Sequence, residues 1–301
     1  MNPDPHSAEP SVHETAMRSS RRTAYWLLAP GVLWTVLFLI IPLAVVVTIS
    51  FATRGTYGGV IWQFSFENYR DLWHVLYARI FGQSLVFAAL TTALCLVMGF
   101  PLAYYMARLS PHYQAIWLLL IMIPFWTNFL VRTYAWMFIL RTEGLLNTML
   151  LGLGVISTPL ELLYTDSAVL IGLVYGYLPF MVLPLFATLE RLDPALIEAA
   201  WDLYADRWSV FWRVIVPLTK PGIIAGCLLV FIPSLGAFLT PDLLGGARSM
   251  MVGNLIQHEY LVARDWPLGS AISLILMIIV SGGVAVYFFV ETLWSRKRVV
   301  S

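Results

Sequence analysis

The sequence predicts an all-α, polytopic membrane protein with six transmembrane helices and a two-helix cytoplasmic loop between spans four and five. Of its 301 residues, 59% are hydrophobic and only 12% are charged, and the mean hydropathy is +0.79. Soluble domains are about 45–50% apolar and about 25% charged. The chain also contains six apolar stretches that are long enough to cross a bilayer, so a soluble enzyme is a poor fit.

A membrane-spanning helix needs about 20 mostly apolar residues to cross a hydrocarbon core of ~30 Å. The predicted spans are residues 27–51, 82–106, 115–140, 167–189, 222–241 and 268–293. These stretches are continuously apolar, whereas the strands of outer-membrane barrels alternate between apolar and polar residues. Pro124 and Asn128 interrupt the third span and Arg132 lies inside it, so we expect this span to be broken or to leave the membrane early.

The two ends of the chain have a different composition from the spans. Residues 1–26 are rich in Ser, Pro, His and charged residues, which predicts a disordered cytoplasmic tail. Arg21 and Arg22 could belong to a signal peptide, but the apolar run that follows them exceeds the roughly 7–15 residues of such a signal, so we interpret it as an anchor. Residues 27–293 are expected to form the membrane domain, and residues 294–301 a cytoplasmic C-terminal tail.

The distribution of basic residues predicts the orientation, because Lys and Arg are more frequent in cytoplasmic segments. With the N-terminus inside, the cytoplasmic segments hold eleven of the 18 basic residues: Arg18, Arg21, Arg22, Arg108, Arg191, Arg207, Arg213, Lys220, Arg296, Lys297 and Arg298. Since six spans place both ends on one side, both termini are predicted to be cytoplasmic.

The composition of the chain and the absence of known motifs argue against several kinds of function. The net charge of +1 argues against a nucleic-acid partner. Cys95 and Cys227 lie in apolar runs, so neither a disulfide framework nor a cysteine metal site is expected. Neither of the two lysines, Lys220 and Lys297, lies in a phosphate-binding P-loop, and no catalytic or metal-binding motif is present. We therefore expect no catalytic residues, no metal and no cofactor bound by this chain.

An ion-coupled carrier usually needs an acidic residue or a histidine near the middle of the membrane. Here no Asp or Glu falls well within a predicted span, because Glu190, Asp242 and Glu291 lie at span ends. Ion coupling through Asn, Ser and backbone carbonyl groups stays open. A membrane scaffold without a transport role is a further alternative.

The segment of about 190–221 is the longest predicted cytoplasmic segment. Asp193 is a good N-cap and Pro194 a good first helical residue. The helix that follows should place Leu196, Ala199, Ala200 and Leu203 on one face. A second helix, about 206–215, should present Trp208, Phe211, Trp212 and Ile215, and should end before span five at Pro217 and Pro221. The pair either lies on lipid or forms a rigid lever that docks a cytoplasmic partner.

This loop resembles the EAA signature of the permeases of binding-protein-dependent ABC importers, in which E-A-A, three residues, G, nine residues and I-x-L-P follow in order. Glu198, Ala199 and Ala200 match, nine residues separate Tyr204 from Val214, and Pro217 is kept. Tyr204 replaces the family's Gly, and Val216 replaces its Leu. Gly would permit a left-handed turn between the helices, which Tyr204 makes costlier. The resemblance implies that Glu198, Ala199, Ala200, Tyr204 and Pro217 couple the chain to an ATPase.

Other stretches resemble permeases of spermidine/putrescine importers, namely 124–136, 217–227, 242–246 and 264–267. The resemblance implies a bacterial inner-membrane permease domain over residues 27–293. It also implies a cytoplasmic ATPase dimer that binds the ATP, a second permease subunit (a paralogue or a second copy of this chain) and an extracytoplasmic solute-binding protein. Importers of other small solutes, such as ferric ion, thiamine or phosphonates, are the nearest alternatives.

A polyamine is a flexible polycation, for which carboxylates and aromatic faces are natural hosts. The candidates for the substrate path, on the outer half of the bundle, are Trp126, Tyr134, Trp136, Tyr175, Tyr177, Asp166, Asp242, Glu259 and Asp265. Aromatic belts at the membrane interface are common, so each residue is also explained by contact with lipid. Arg132 is a poor polyamine contact, and we expect it to pair with an acid or a carbonyl, or to dock the external binding protein.

Overall fold

The computed structural model describes residues 27–246 and 249–299. The predicted N-terminal tail, 1–26, lies outside the described residues, as do the last two residues of the predicted C-terminal tail. Within the described ranges the chain is helical apart from one short hairpin and the connecting loops. The predicted all-α membrane fold is confirmed.

Five helices are individually long and apolar enough to span a membrane: α1 (Leu27–Ser50), α3 (Val75–Ala107), α7 (Asp166–Leu189), α9 (Arg207–Leu235) and α11 (Trp266–Val299). In α11 the residues Trp266–Phe289 are long and apolar enough to span, and the helical backbone continues into the predicted tail. The shorter helices are α2 (Glu67–Asp71), α4 (Pro111–Trp126), α5 (Phe129–Leu140), α6 (Leu145–Gly152), α8 (Pro194–Asp202) and α10 (Val252–Leu261). Strands β1 (Thr53–Arg54) and β2 (Val60–Ile61) form the hairpin, with Thr53 paired antiparallel to Ile61.

The third predicted span is broken, as its sequence indicated. Helix α4 and the helical stretch Phe129–Gly152 pass the same length and composition test together and meet at an angle of 90°. Thr127 is extended, and the Asn128 side chain accepts a hydrogen bond of 2.8 Å from the backbone N–H of Leu130, which caps the start of α5. Counting this bent pair as one span gives the predicted total of six.

Helices α3, α7 and α9 pack against one another and form the centre of the bundle. Glycines allow their close approach. A Cβ atom at Gly226 would lie 2.7 Å from the Met181 sulfur, and one at Gly222 would lie 2.7 Å from the Pro184 carbonyl oxygen. Small residues at such contacts are typical of membrane helices, since packing rather than a hydrophobic driving force holds those helices together.

The predicted start and end of span five were wrong. Pro217 and Pro221 do not separate a surface helix from the span, because α9 runs without a break from Arg207 to Leu235. A π-turn over Phe211–Ile215 shifts the hydrogen bonding to i→i+5, and Pro217 and Pro221 follow it without ending the helix. The helix ends at Leu235, with Gly236 as its C-cap, well before the predicted residue 241.

At the end of the bundle that the sequence predicts to lie outside, the hairpin is bound to the loop that precedes α11. Arg54 donates a hydrogen bond of 2.7 Å to the Ala263 carbonyl and lies 3.8 Å from the Asp265 carboxylate. The first turn of α10 is buried against α3 and α11, and its Val252 N–H donates to the Ser84 hydroxyl at 2.8 Å. These contacts hold the ends of the spans together at this side of the bundle.

Candidate functional site at the cytoplasmic loop

The first helix of the loop begins where the sequence predicted. Asp193 accepts a hydrogen bond of 3.0 Å from the Ala195 N–H, and Pro194 occupies the first turn of α8. The helix ends at Asp202. A capped, nine-residue helix of this kind is a compact and rigid element.

The apolar face that the sequence predicts for α8 is largely exposed. Ile197 is buried against the central helices and Ala200 is half-buried, whereas Leu196 is 47% exposed and Leu203 is 82% exposed. Ala199 is exposed as well. The helix carries apolar residues on more than one side, so periodicity alone did not select the packed face. The predicted apolar face is thus left uncovered by the rest of the described chain.

Tyr204 makes the left-handed turn that the family pattern assigns to Gly. Its φ is +58°, in the region that L-residues avoid, and its side chain is 98% exposed. The Ala205 N–H donates to the Ala200 carbonyl at 3.1 Å, which closes the end of α8. The bend is therefore kept in spite of the substitution.

Asp206 begins the second helical segment of the loop. Its carboxylate accepts a hydrogen bond of 3.2 Å from the Trp208 N–H. The hydrogen bond with the Ser209 side chain is the main cause that lowers the pKa of Asp206 below its ordinary value. A carboxylate with a lowered pKa is charged at neutral pH, and a negative charge stabilises the N-terminus of a helix.

The predicted apolar face of the second segment is split in the structure. Ile215 is buried, and the half-buried ring of Phe211 meets Phe100 edge-on with 5.4 Å between the centroids. Trp208 and Trp212 are 70% and 60% exposed. The π-turn changes the angular spacing of side chains along α9, so residues placed on one face by a regular helical period point in different directions.

Glu198 lines a cavity of about 420 Å³ between α8 and the C-terminal end of α3. Glu190, Trp201, Tyr104 and Arg108 also line it. Tyr104 and Arg108 were not among the predicted site residues, since they are distant in sequence and belong to no motif. Of the predicted coupling residues, Glu198, Ala199, Ala200 and Tyr204 lie on one helix and its turn, while Pro217 is exposed further along, in α9.

Two of the predicted substrate-path residues are in contact. The rings of Trp136 and Tyr175 pack edge-on at 5.5 Å, beside an apolar cavity of about 330 Å³. Trp126 and Tyr134 are 78% and 45% exposed, and Asp242 is exposed on a π-turn at Pro241–Gly245. The structure does not bring these three into contact with the ring pair.

The other outer candidates are engaged in local contacts. Asp166 accepts a hydrogen bond of 2.5 Å from the Ser249 hydroxyl, and Tyr177 donates one of 3.2 Å to the Pro233 carbonyl. Glu259 lies 3.6 Å from His258. Burial is the main cause that raises the pKa of Glu259, with the negative charge of Asp265 adding to it. These residues have structural roles that do not require a solute.

Arg132 does not make the pairing that we expected. Its Nε and Nη1 atoms are buried without a hydrogen-bond partner, and its guanidinium lies 4.7 Å from the ring centroid of Phe125 and 5.4 Å from that of Phe129. A cation held over two aromatic faces on either side of the break between α4 and α5 stabilises that bend.

The sequence of the chain is similar to those of known transport proteins. The profile of the family described as "Binding-protein-dependent transport system inner membrane component" matches residues 99–299. The spermidine/putrescine transport system permease protein PotB of Haemophilus influenzae is 45% identical, over 88% of this chain and 92% of that protein. The protein of the same name from Escherichia coli is 45% identical over 88% of this chain and 96% of its own length.

The fold is also similar to that of a solved structure. A chain of a bacterial ABC transporter involved in the import of the acidic polysaccharide alginate superposes with a TM-score of 0.71, over 94% of this chain and 99% of that one. The two sequences are only 17% identical, so this likeness concerns the fold.

Proposed function

Because the chain belongs to the family of binding-protein-dependent transport system inner membrane components, we propose that it is the permease subunit of an ATP-driven importer of polyamines. In this role the chain contributes spans to the translocation path and hydrolyses no ATP itself. A cytoplasmic ATPase dimer supplies the energy, a second permease completes the path, and an extracytoplasmic binding protein delivers the solute. Both termini of the chain lie in the cytoplasm.

The coupling role rests on one observation, which is the exposed apolar face of α8 that points away from the bundle. Leu196, Ala199 and Leu203 form an apolar face that no other part of the described chain covers, and Glu198 adds a carboxylate beside it. A helix that exposes large apolar side chains to solvent marks an interaction surface. The ATPase is the occupant that the EAA pattern implies.

The opposite side of α8 suggests how movement would be transmitted. Ile197 is buried in the same apolar cluster as Met106 of α3 and Ile215 of α9. Since packed interiors are stiff, a displacement of α8 by the ATPase would move the cytoplasmic ends of these spans with it. The bundle would then alternate between inward-open and outward-open states.

The assignment of the solute rests on the relatives and on residue chemistry. The two spermidine/putrescine permeases match this chain over 88% of its length. Trp126 and Asp242, both exposed on the outer side, offer an aromatic face and a carboxylate to a passing polycation. Each desolvated cation–π contact contributes about 0.5–2 kcal/mol.

The direct test of the coupling role is Glu198→Lys in the reconstituted importer. The reversed charge should abolish solute-stimulated ATP hydrolysis and uptake, while the chain still inserts and assembles. Glu143→Lys, at an exposed position of an outer loop, is the matched control and should leave both activities within about twofold. Normal transport by Glu198→Lys would show that α8 is a surface helix without a role in coupling.

The solute is tested with the same complex. Its ATPase activity should rise with binding protein loaded with putrescine or spermidine, and should not respond to thiamine, ferric citrate or phosphonates. Stimulation by one of those other solutes, and by no polyamine, would refute the substrate assignment and keep the importer assignment.

A further inference from the structure

A second cavity of about 370 Å³ adjoins the one that Glu198 lines, and we call it the arginine cavity. Its floor is apolar, formed by the buried side chains of Ile197, Val210 and Ile215. Its rim carries two exposed arginines, Arg108 and Arg207. The cavity therefore combines two positive charges with a surface of low polarity.

In the part of the chain whose side chains the structure describes, neither arginine has an acidic group within 4.0 Å. Among residues 27–246 and 249–289, the ion pairs within 4.0 Å are Arg54–Asp265 and His258–Glu259, both on the outer side. The guanidinium of Arg108 instead lies 4.3 Å from the ring centroid of Tyr104. No acidic side chain of the described residues lines the arginine cavity, whereas Arg108 also lines the neighbouring cavity, together with Glu190 and Glu198. The rim thus presents two guanidinium groups that are available to an anion.

We propose that the arginine cavity binds an acidic side chain of the cytoplasmic ATPase, as a second contact beside α8. This inference rests on the proposed function, which places the ATPase at the same loop. One guanidinium group can bind a carboxylate through two parallel charge-assisted hydrogen bonds, and a second guanidinium on the same rim adds to the attraction. The apolar floor strengthens that attraction because it lowers the local dielectric constant.

The position of the two arginines gives this contact a consequence for transport. Arg108 caps the cytoplasmic end of α3, and Arg207 is the first residue of α9. One carboxylate held between them would tie the second and fifth spans to the ATPase directly. The ATPase would then move these spans together with α8, so its conformational change would act on the permease at two positions.

The experiment measures binding of the purified ATPase subunit of the same importer to the permease pair in lipid nanodiscs. Arg108→Glu and Arg207→Glu should each weaken binding at least tenfold. Arg213→Glu is the matched control, because Arg213 is exposed on the same helix but does not line the arginine cavity; it should change binding less than twofold. Arg108→Lys keeps the charge but not the fork of the guanidinium, and should lie between these limits.

The occupant is identified by a charge swap. An Asp→Arg or Glu→Arg variant of the ATPase should bind the Arg108→Glu permease as well as the two wild-type proteins bind each other. The same ATPase variant should bind the wild-type permease weakly. If no acidic residue of the ATPase behaves in this way, the proposal is overturned. It is also overturned if Arg108→Glu matters only in bilayers that contain phosphatidylglycerol and not in phosphatidylcholine, since a lipid headgroup would then be the occupant.

Different results would refute the proposed function and the contact at the arginine cavity. Wild-type permease that does not bind the ATPase at all would refute the proposed function together with this inference. Wild-type binding that survives Arg108→Glu and Arg207→Glu within twofold would refute this inference alone and leave the coupling role of α8 intact.

Discussion

Replacing Tyr204 with Gly should make the turn after α8 more stable, although it removes a large side chain. The backbone of Tyr204 is left-handed, with φ at +58°. Such a conformation costs a non-glycine residue about 1–2 kcal/mol. Glycine avoids that cost but loses more backbone freedom on folding, by about 0.5–1 kcal/mol. Since the tyrosine side chain is 98% exposed, little packing is lost.

The balance is a stabilisation of roughly 0.5–1 kcal/mol, or a two- to fivefold change in a local opening equilibrium, given that about 1.4 kcal/mol is tenfold. Hydrogen exchange of the amides at 203–207 should slow by this factor in Tyr204→Gly. Tyr204→Ala is the matched control, because it removes the same ring and keeps the left-handed strain, so its exchange should stay near that of the wild type. Uptake should be retained in both variants.

Equal exchange rates in the Gly and Ala variants would refute this reasoning, since the strain would then not reside in the backbone of residue 204. Faster exchange in Tyr204→Gly than in the wild type would show instead that the ring contributes contacts that its exposure does not reveal.

Three further outcomes are expected. Gly222→Ala should lower the free energy of unfolding of the detergent-solubilised protein by about 1–3 kcal/mol, because the new methyl group would press on a backbone carbonyl. Gly282→Ala should leave this free energy unchanged, because no atom lies within 4 Å of the added Cβ. Single cysteines at the exposed positions Thr56 and Leu203 should react with an impermeant thiol reagent from outside and only after permeabilisation, respectively; outside labelling at Leu203 would refute the orientation. Asp242→Asn should impair uptake of spermidine more than of putrescine, since the Coulomb attraction scales with ligand charge; equal effects on both would remove Asp242 from the path.

The sequence alone predicted the five uninterrupted spans, the break in the third predicted span and the start of α8. Each of these is a local property. The length of an apolar run decides whether a helix can cross the bilayer, and the interruption between Pro124 and Asn128 shows in the order of the residues. Asp193 could be identified as a cap because its partner, Ala195, is only two residues away.

Only the tertiary structure decided which side of α8 is covered and which of its neighbours complete the site. Leu196 and Ile197 are adjacent and both apolar, yet the first is 47% exposed and the second 7%. What separates them is the position of α3 and α9, which their own helix does not encode. The same holds for Arg108, which the fold brings to the loop across about 90 positions of sequence. A contact of that kind depends on the packing of whole helices, and packing is a property of the surfaces that meet rather than of either segment alone.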